Sequence, residues 1–358
     1  MAPDRARMAR LFREQGEGCG RLGSPLYAGL LTHAGDDIDR GGVLATVLSG
    51  HEDDYGPSAL ALRLAGAVHR IVLSGRAPRL AAYYPSMGGV ANPAAAWPEF
   101  RVVIAEHADE IDALLQSPPQ TNEVGRSAIL IGALLQLTAQ FGLPIRLLEF
   151  GASAGLNLRA DAFRYDLADG VILGDVGSPV VLSRPWAGLT RAWPPVNAAV
   201  DVVERVGGDP QPADPLAPDD QLRLLSYVWP DQPERIARLR AAFDVAARVP
   251  APVLPVAAAP FLADQLVAAR QGVLTVVWHS VVWQYLDKAE RQAVLGVLAE
   301  AGERATTDAP LAHVAFEPVR PTPDRRYAFL GSLQVWPGDG TERVIAEGQG
   351  HGPPVVWS

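Results

Sequence analysis

Cysteine is nearly missing from this chain: Cys19 is the only one in 358 residues. An internal disulfide is therefore impossible, and a cysteine-rich zinc site is excluded with it. No H-x-x-x-H or H-x-x-E-H spacing is present either. His51-Glu52-Asp53-Asp54 gathers ligand-type side chains, but adjacent residues cannot converge on one ion without a special turn. That stretch reads as a solvated loop. Runs of Lys or Arg are absent and the net charge is -9. Phosphate binding needs a concentrated basic surface, so nucleic acid is not an expected partner. The N-terminal MAPDRARMARLFREQ interleaves charges and has no apolar secretory core. The longest apolar stretch, Ser127 to Leu148, is interrupted by Gln136, Gln140, Gly142, Pro144 and Arg146. It reads as a buried helix, a turn and a strand, not a membrane span. The expectation is a soluble cytoplasmic protein with no membrane partner. Neither an internal repeat nor a low-complexity tract occurs.

What is present suffices for a sizeable core. Hydrophobic residues make up 48% and charged residues 20%, which argues against disorder. The length suggests two domains. Residues 1–142 show helix-period patterns broken by Gly and Pro clusters, as in Ser58 to Leu73, Phe100 to Leu115 and Asn122 to Phe141. They are expected to form an N-terminal helical domain or cap. From 143 to 358 short apolar strands alternate with helices: Ile145 to Phe150, Val202 to Val206, Val253 to Val256, Val273 to Trp278 and Leu311 to Phe316. FRYDLADGVILGDVGSPVVL reads as a hairpin-like insertion, about 163–195. The end, YAFLGSLQVWPGDGTERVIAEG, predicts two strands around a turn at Pro337 to Gly340. Asp287 with Glu290 fits a helix start. The whole is an α/β pattern, with a mostly parallel sheet and helices on both faces. Ligands of such sheets sit at the carboxyl ends of the strands.

The stretch 147–157, LLEFGASAGLN, is where the chemistry concentrates. A strand enters a turn of small residues. Gly151 and Gly155 remove the β-carbons that would block a ligand from the backbone, and a helix expected from Asn157 to Phe163 would aim its N-terminal N–H groups at it. The pattern is not G-x-G-x-x-G, because position 153 is Ser and 156 is Leu. The Gly-Lys-Ser/Thr of a phosphate loop is missing too. It also matches G-x-S-x-G, the nucleophile elbow of serine hydrolases, with Ser153 as nucleophile. That alternative needs an acid and a histidine downstream, and Asp287 or Asp308 with His313 or His351 are available in order. It lacks an HGGG-like oxyanion segment upstream.

E-x-G-x-x-x-G, at Glu149, Gly151 and Gly155, resembles the first motif of class I S-adenosylmethionine-dependent methyltransferases. The resemblance implies a Rossmann-like methyltransferase fold behind the helical domain, closed by an antiparallel hairpin. It implies S-adenosylmethionine as cofactor, held by Glu149, Gly151, Ala152, Ser153, Gly155 and Asn157. It requires a second acid at the end of the next strand. Asp209 in VVERVGGDPQP resembles the family's G-x-D-x-x-P form, while Asp175 in VILGDVGSP is the competitor. VVWHSVVWQYL resembles the segment lining cofactor and substrate, with Ser280 on the cofactor side and His279 as general base. A small-molecule acceptor is the expected partner. One departure stands: PVAAAPFLADQL puts alanines where an acid often meets the adenine, and Asp264 lies further on.

More of the chain is familiar. GSPLYAGLL (23–31), PSALALRLAGAVHRIVLSG (57–75), YYP (83–85), QTNEVGR (120–126), GASAGLNLRADAFRY (151–165), YVWPDQPERIARLRAA (227–242) and VVWHSVVWQYL (276–286) resemble the bacterial family domain of unknown function 2332. Plainer roles remain open. Ser153, Thr121 or Asn122 as helix caps, Asp209 as a turn residue, Asn157 and Asp161 as a polar pair, and His279 as a structural histidine all fit the same sequence. A degenerate, nucleoside-binding methyltransferase-like protein is the third functional alternative.

Overall fold

The computed structural model describes residues 5–54, 59–116, 119–187, 194–320 and 327–358. Residues 57 and 58 of one family-like stretch, and 188–193 of the expected insertion, lie outside the described residues. Helices α1 (Arg5–Arg21), α2 (Pro25–Asp39), α3 (Val43–Val47), α4 (Leu60–Leu73), α5 (Pro78–Ala81), α6 (Pro93–Glu106), α7 (Ala108–Leu115) and α8 (Ser127–Phe141) come first. Strands β1 (Ile145–Phe150), β2 (Arg164–Asp166), β3 (Ile172–Gly174), β4 (Val181–Ser183) and β5 (Val202–Asp209) follow. After α9 (Pro218–Ser226) and α10 (Pro233–Ala246) come β6 (Val253–Pro255), α11 (Ala258–Gln265), β7 (Leu274–Ser280) and α12 (Lys288–Glu303). The chain closes with β8 (Leu311–Val319), β9 (Ala328–Trp336), β10 (Arg343–Gln349) and β11 (Gly352–Trp357).

The chain divides into two compact units: 1–121 with 217–237, and 122–216 with 238–358. The sequence expectation placed one boundary after 142. Here the division falls before Asn122, and the segment 217–237 returns to the first unit.

The first unit is helical. Apolar residues recur every three or four positions in α4, so Leu60, Leu64, Val68, Ile71 and Val72 are all buried. They join Phe12, Leu30, Phe100, Ile104 and Trp229 in one core. Ser24 caps α2 by accepting the Tyr27 N–H at 3.3 Å, with Pro25 in the first turn. Asp231 in turn accepts from Ser24 Oγ at 2.6 Å and from the Leu26 N–H at 2.8 Å. The expected solvated loop at His51 holds for Asp53, which is exposed, and in part for Glu52 and Asp54, but not for His51. His51 is buried, with Nδ1 2.8 Å from Asp54 and Nε2 3.3 Å from Asp112. Asp54 also accepts from the buried Arg63, so the loop is tied down by bonds from His51 and Arg63 to partly exposed acids.

The second unit holds an eight-stranded sheet in the order β11-β10-β9-β8-β7-β1-β5-β6. β6, β5, β1, β7 and β8 run parallel, while β8, β9, β10 and β11 pair antiparallel. The expected closing hairpin is β9 and β10, and β11 adds a strand that was not expected. Every residue of β1 is buried, as its near-continuous apolar run requires of a central parallel strand. Leu148, Phe150 and Val277 pack with α11 and α12 on one face. The buried helix α8 meets β8 and β11. The helical stretch Val124–Phe141 is long and apolar enough to cross a membrane, and 72% of it is buried inside the protein. Residues 164–183 form a separate three-stranded sheet, β3-β2-β4, in which β2 and β3 pair antiparallel.

Candidate functional site

The order β6-β5-β1-β7-β8 makes β1 the strand at which the chain switches sides: β5 and β6 add on one side, β7 and β8 on the other. A crevice outside the carboxyl ends belongs at such a point. The loop leaving β1 is bent by three consecutive odd positions. Gly151, Ser153 and Gly155 have φ of +65°, +55° and +65°. Glycine adopts this region freely, whereas Ser153 is strained there. A β-carbon on Gly151 would lie 2.4 Å from Val282 Cγ2, and one on Gly155 2.8 Å from Val253 Cγ2.

Asp209, the last residue of β5, holds this loop. Its Oδ2 accepts the Ser153 N–H at 2.9 Å and its Oδ1 the Gln211 N–H at 2.9 Å. The Ala152 N–H donates to the Gly208 carbonyl at 3.3 Å. Asp175 is elsewhere: it is exposed just after β3 and accepts the Gly177 N–H of its own turn at 2.8 Å. Thus Glu149, Gly151, Ala152, Ser153, Gly155 and Asp209 come together at the ends of β1 and β5.

The segment after the loop departs from expectation. Leu156–Ala162 is a 3₁₀ helix kinked at Arg159, not an α-helix, because its backbone bonds go elsewhere. The Leu156 N–H donates to Asn122 Oδ1 at 2.8 Å, and Arg159 donates to the Gly155 carbonyl at 2.7 Å. Asn157 donates to the Glu123 carbonyl at 3.3 Å. Asp161 does not pair with Asn157; it takes Arg205 of β5 in a two-pronged bond of 2.9 and 3.0 Å.

Glu149 stands in register with Trp278 of β7 and is 1% exposed. Burial pushes its carboxyl well above the ordinary carboxylate value; the Trp278 side chain opposes this, and the charge of Asp209 adds to it. Several buried polar atoms here have no hydrogen-bond partner: Glu149 Oε2, Ser153 Oγ and Asn157 Oδ1.

His279 lies on the opposite face. Successive residues of a strand alternate faces, and the His279 ring stacks on Phe150 at 4.5 Å, next to Glu149 in sequence. Trp283 and His313 flank the same ring at 5.5 and 5.1 Å. Glu317 of β8, which was not anticipated, anchors this group. Its Oε1 lies 2.8 Å from His279 Nδ1 and accepts the N–H groups of Val282 at 3.0 Å and Trp283 at 3.3 Å. A carboxylate oxygen only accepts, so Nδ1 carries a proton here. An acid just past a buried strand was the signal available in LAHVAFEP. Between the two, Val281 is held at φ +52°, a costly conformation for a β-branched residue. Ser280 contributes its carbonyl, which accepts from Arg126 at 3.3 Å.

The acid–histidine pairs considered for a hydrolase have other partners. Asp287 caps α12 by accepting the Glu290 N–H at 2.8 Å, His313 bonds Gln334 at 2.9 Å, and His351 lies 3.7 Å from Glu123. Among the described residues no group of three His, Cys, Asp or Glu could hold a metal ion. Comparison with curated proteins finds no match, and comparison with solved structures finds none. One family model, described as an uncharacterized protein conserved in bacteria (DUF2332), matches residues 9–357.

Proposed function

The chain belongs to that bacterial family, whose description carries no activity, and we propose from the site itself that it is an S-adenosylmethionine-dependent methyltransferase acting on a small-molecule acceptor. One observation carries this proposal: the buried atoms Glu149 Oε2, Ser153 Oγ and Asn157 Oδ1, unpartnered at and just beyond the carboxyl end of the switch-point strand. An unmet buried polar atom costs about 1–3 kcal/mol, and a ligand bearing an ammonium group and hydroxyls would relieve all three. Gly151 and Gly155 leave room for Val282 and Val253 of the chain itself, not for a ligand as the sequence suggested, and their positive φ turns the loop across the ends of β1 and β5. Each oxygen of Asp209 keeps a lone pair free beside its backbone bond, enough to accept from a ribose hydroxyl. The strand order, with five parallel strands followed by antiparallel ones, supports a Rossmann-like methyltransferase fold.

S-adenosylmethionine supplies an electrophilic methyl group when bound. The protein's own part is alignment. Glu149, Ser153, Asn157 and Asp209 bind and orient the cofactor. Val282, packed against Gly151, links the loop to the segment that carries His279. The expected base His279 stands on the other face of the sheet, buried among Phe150, Trp283 and His313 and bonded to Glu317, so it anchors this segment and does not meet the acceptor. The strained turn at Ser153 favours one second function, acyl transfer by a Ser153 nucleophile, although no described histidine bonds its Oγ.

Calorimetric titration with S-adenosylmethionine and S-adenosylhomocysteine tests the proposal, with Asp209→Ala and Glu149→Gln in parallel. The expected result is micromolar binding to the wild type and its loss in Asp209→Ala. A wild type that binds neither compound sinks the proposal.

A further inference from the structure

A serine–histidine pair stands in the helical unit, apart from the residues discussed so far. His69 of α4 is wholly buried. Its Nδ1 lies 3.1 Å from the Ser226 carbonyl oxygen, and its Nε2 lies 2.9 Å from Ser86 Oγ. A carbonyl only accepts, so the ring proton sits on Nδ1 and Nε2 is the acceptor. The Ser86 hydroxyl therefore donates to Nε2. Nucleophile, base and a third group orienting the base stand in a row, the arrangement that activates a serine. A main-chain carbonyl takes the place of the usual carboxylate.

The surroundings fit a reactive site more than a core contact. Ser86 is half-buried, on a short 3₁₀ turn, Pro85–Met87, that ends at Gly88 in the left-handed region. A β-carbon on Gly88 would meet nothing within 4 Å, so the turn is open to solvent at that residue. Met87 of this turn and Val90 just beyond it are 44% and 78% exposed. Tyr84 packs 5.5 Å from the His69 ring, and its buried hydroxyl has no partner. Burial pulls the imidazole down to about 4, so the ring is neutral at physiological pH and Nε2 is unprotonated where it meets the Ser86 hydroxyl.

We propose that Ser86 and His69 form an acyl-transfer site for small esters or thioesters with a short apolar acyl group. The Ser86 hydroxyl proton passes to His69 Nε2 as the Oγ–carbonyl carbon bond forms. The bond to the leaving alcohol or thiol breaks, and that group takes the proton from the imidazolium. Water then repeats the sequence, releases the acid and restores Ser86. No cofactor enters, so this site stands or falls independently of the methyltransferase proposal.

The test is reaction of the folded full-length protein with an alkyl fluorophosphonate, in which Ser86 Oγ bonds phosphorus and fluoride leaves, followed by peptide mapping. The adduct is expected on Ser86, absent from Ser86→Ala and from urea-unfolded wild type. His69→Gln, checked for native circular dichroism, should label on the order of 10²-fold more slowly. No adduct on Ser86, an adduct on Ser153 alone, or equal labelling of folded and unfolded protein would each overturn the proposal.

Discussion

At Glu149 a carboxyl group is held with one oxygen lacking any hydrogen bond. The folded state favours its neutral form, since burial comes first among the causes of its raised pKa. A raised carboxyl pKa costs stability as pH climbs above the unfolded value near 4.5. Glu149→Gln mimics the neutral acid, and should raise stability at pH 8 by on the order of 1 kcal/mol. That gain should shrink toward zero near pH 4.5. Urea melts at both pH values check this, and a loss of stability at pH 8 would mean that the carboxylate is ionised and paired. Glu149, Gly151 and Asp209 were legible in the sequence because a strand, a glycine turn and an acid leave local patterns. Glu317 was not, because its meaning comes from His279, 38 positions away.

The helices and strands follow local rules where local rules suffice. Asp287 was expected to start a helix, and it caps α12. Glu290 goes further than the capping pattern implies, since its Oε1 accepts the Ala258 N–H of α11 at 3.1 Å. Asp287→Ala should cost about 1 kcal/mol, read as a drop of roughly 2–4 °C in Tm. No change in Tm would show that α12 is held by packing alone. The segment after Gly155 shows where local rules fail. A helix was expected from Asn157 to Phe163, and the segment Leu156–Ala162 is helical but tightens into a 3₁₀ form kinked at Arg159, whose side chain bonds the Gly155 carbonyl. β11 escaped notice because Gly352-Pro353-Pro354 reads as a turn, while its pairing comes from β10.

For the whole molecule, buried histidines set the response to acid. Burial lowers His69 to about 4 and His313 to about 3. The unfolded chain protonates both near 6.5, so it binds more protons than the folded state below that pH. Stability is therefore complete above pH 6.5 and is lost as pH falls toward 4, by up to roughly 1.4 kcal/mol per unit for each histidine. Glu149 acts with the opposite sign over part of this range, but two histidines outweigh one carboxyl. Urea melts from pH 7.5 to 4.5 should show falling midpoints. Flat midpoints would mean that both rings titrate normally in the folded protein.

By itself the sequence determined the α/β class, the helical first part, the parallel strands and the glycine loop. Each of these is written in periodicity, caps and turn residues that act over a few positions. Only the tertiary structure decided that His279 faces away from Glu149, that Glu317 holds its ring, and that His69 meets Ser86 and Ser226. Those relations depend on which strands and loops become neighbours, and hydrogen bonds between residues far apart in the chain leave no spacing to read.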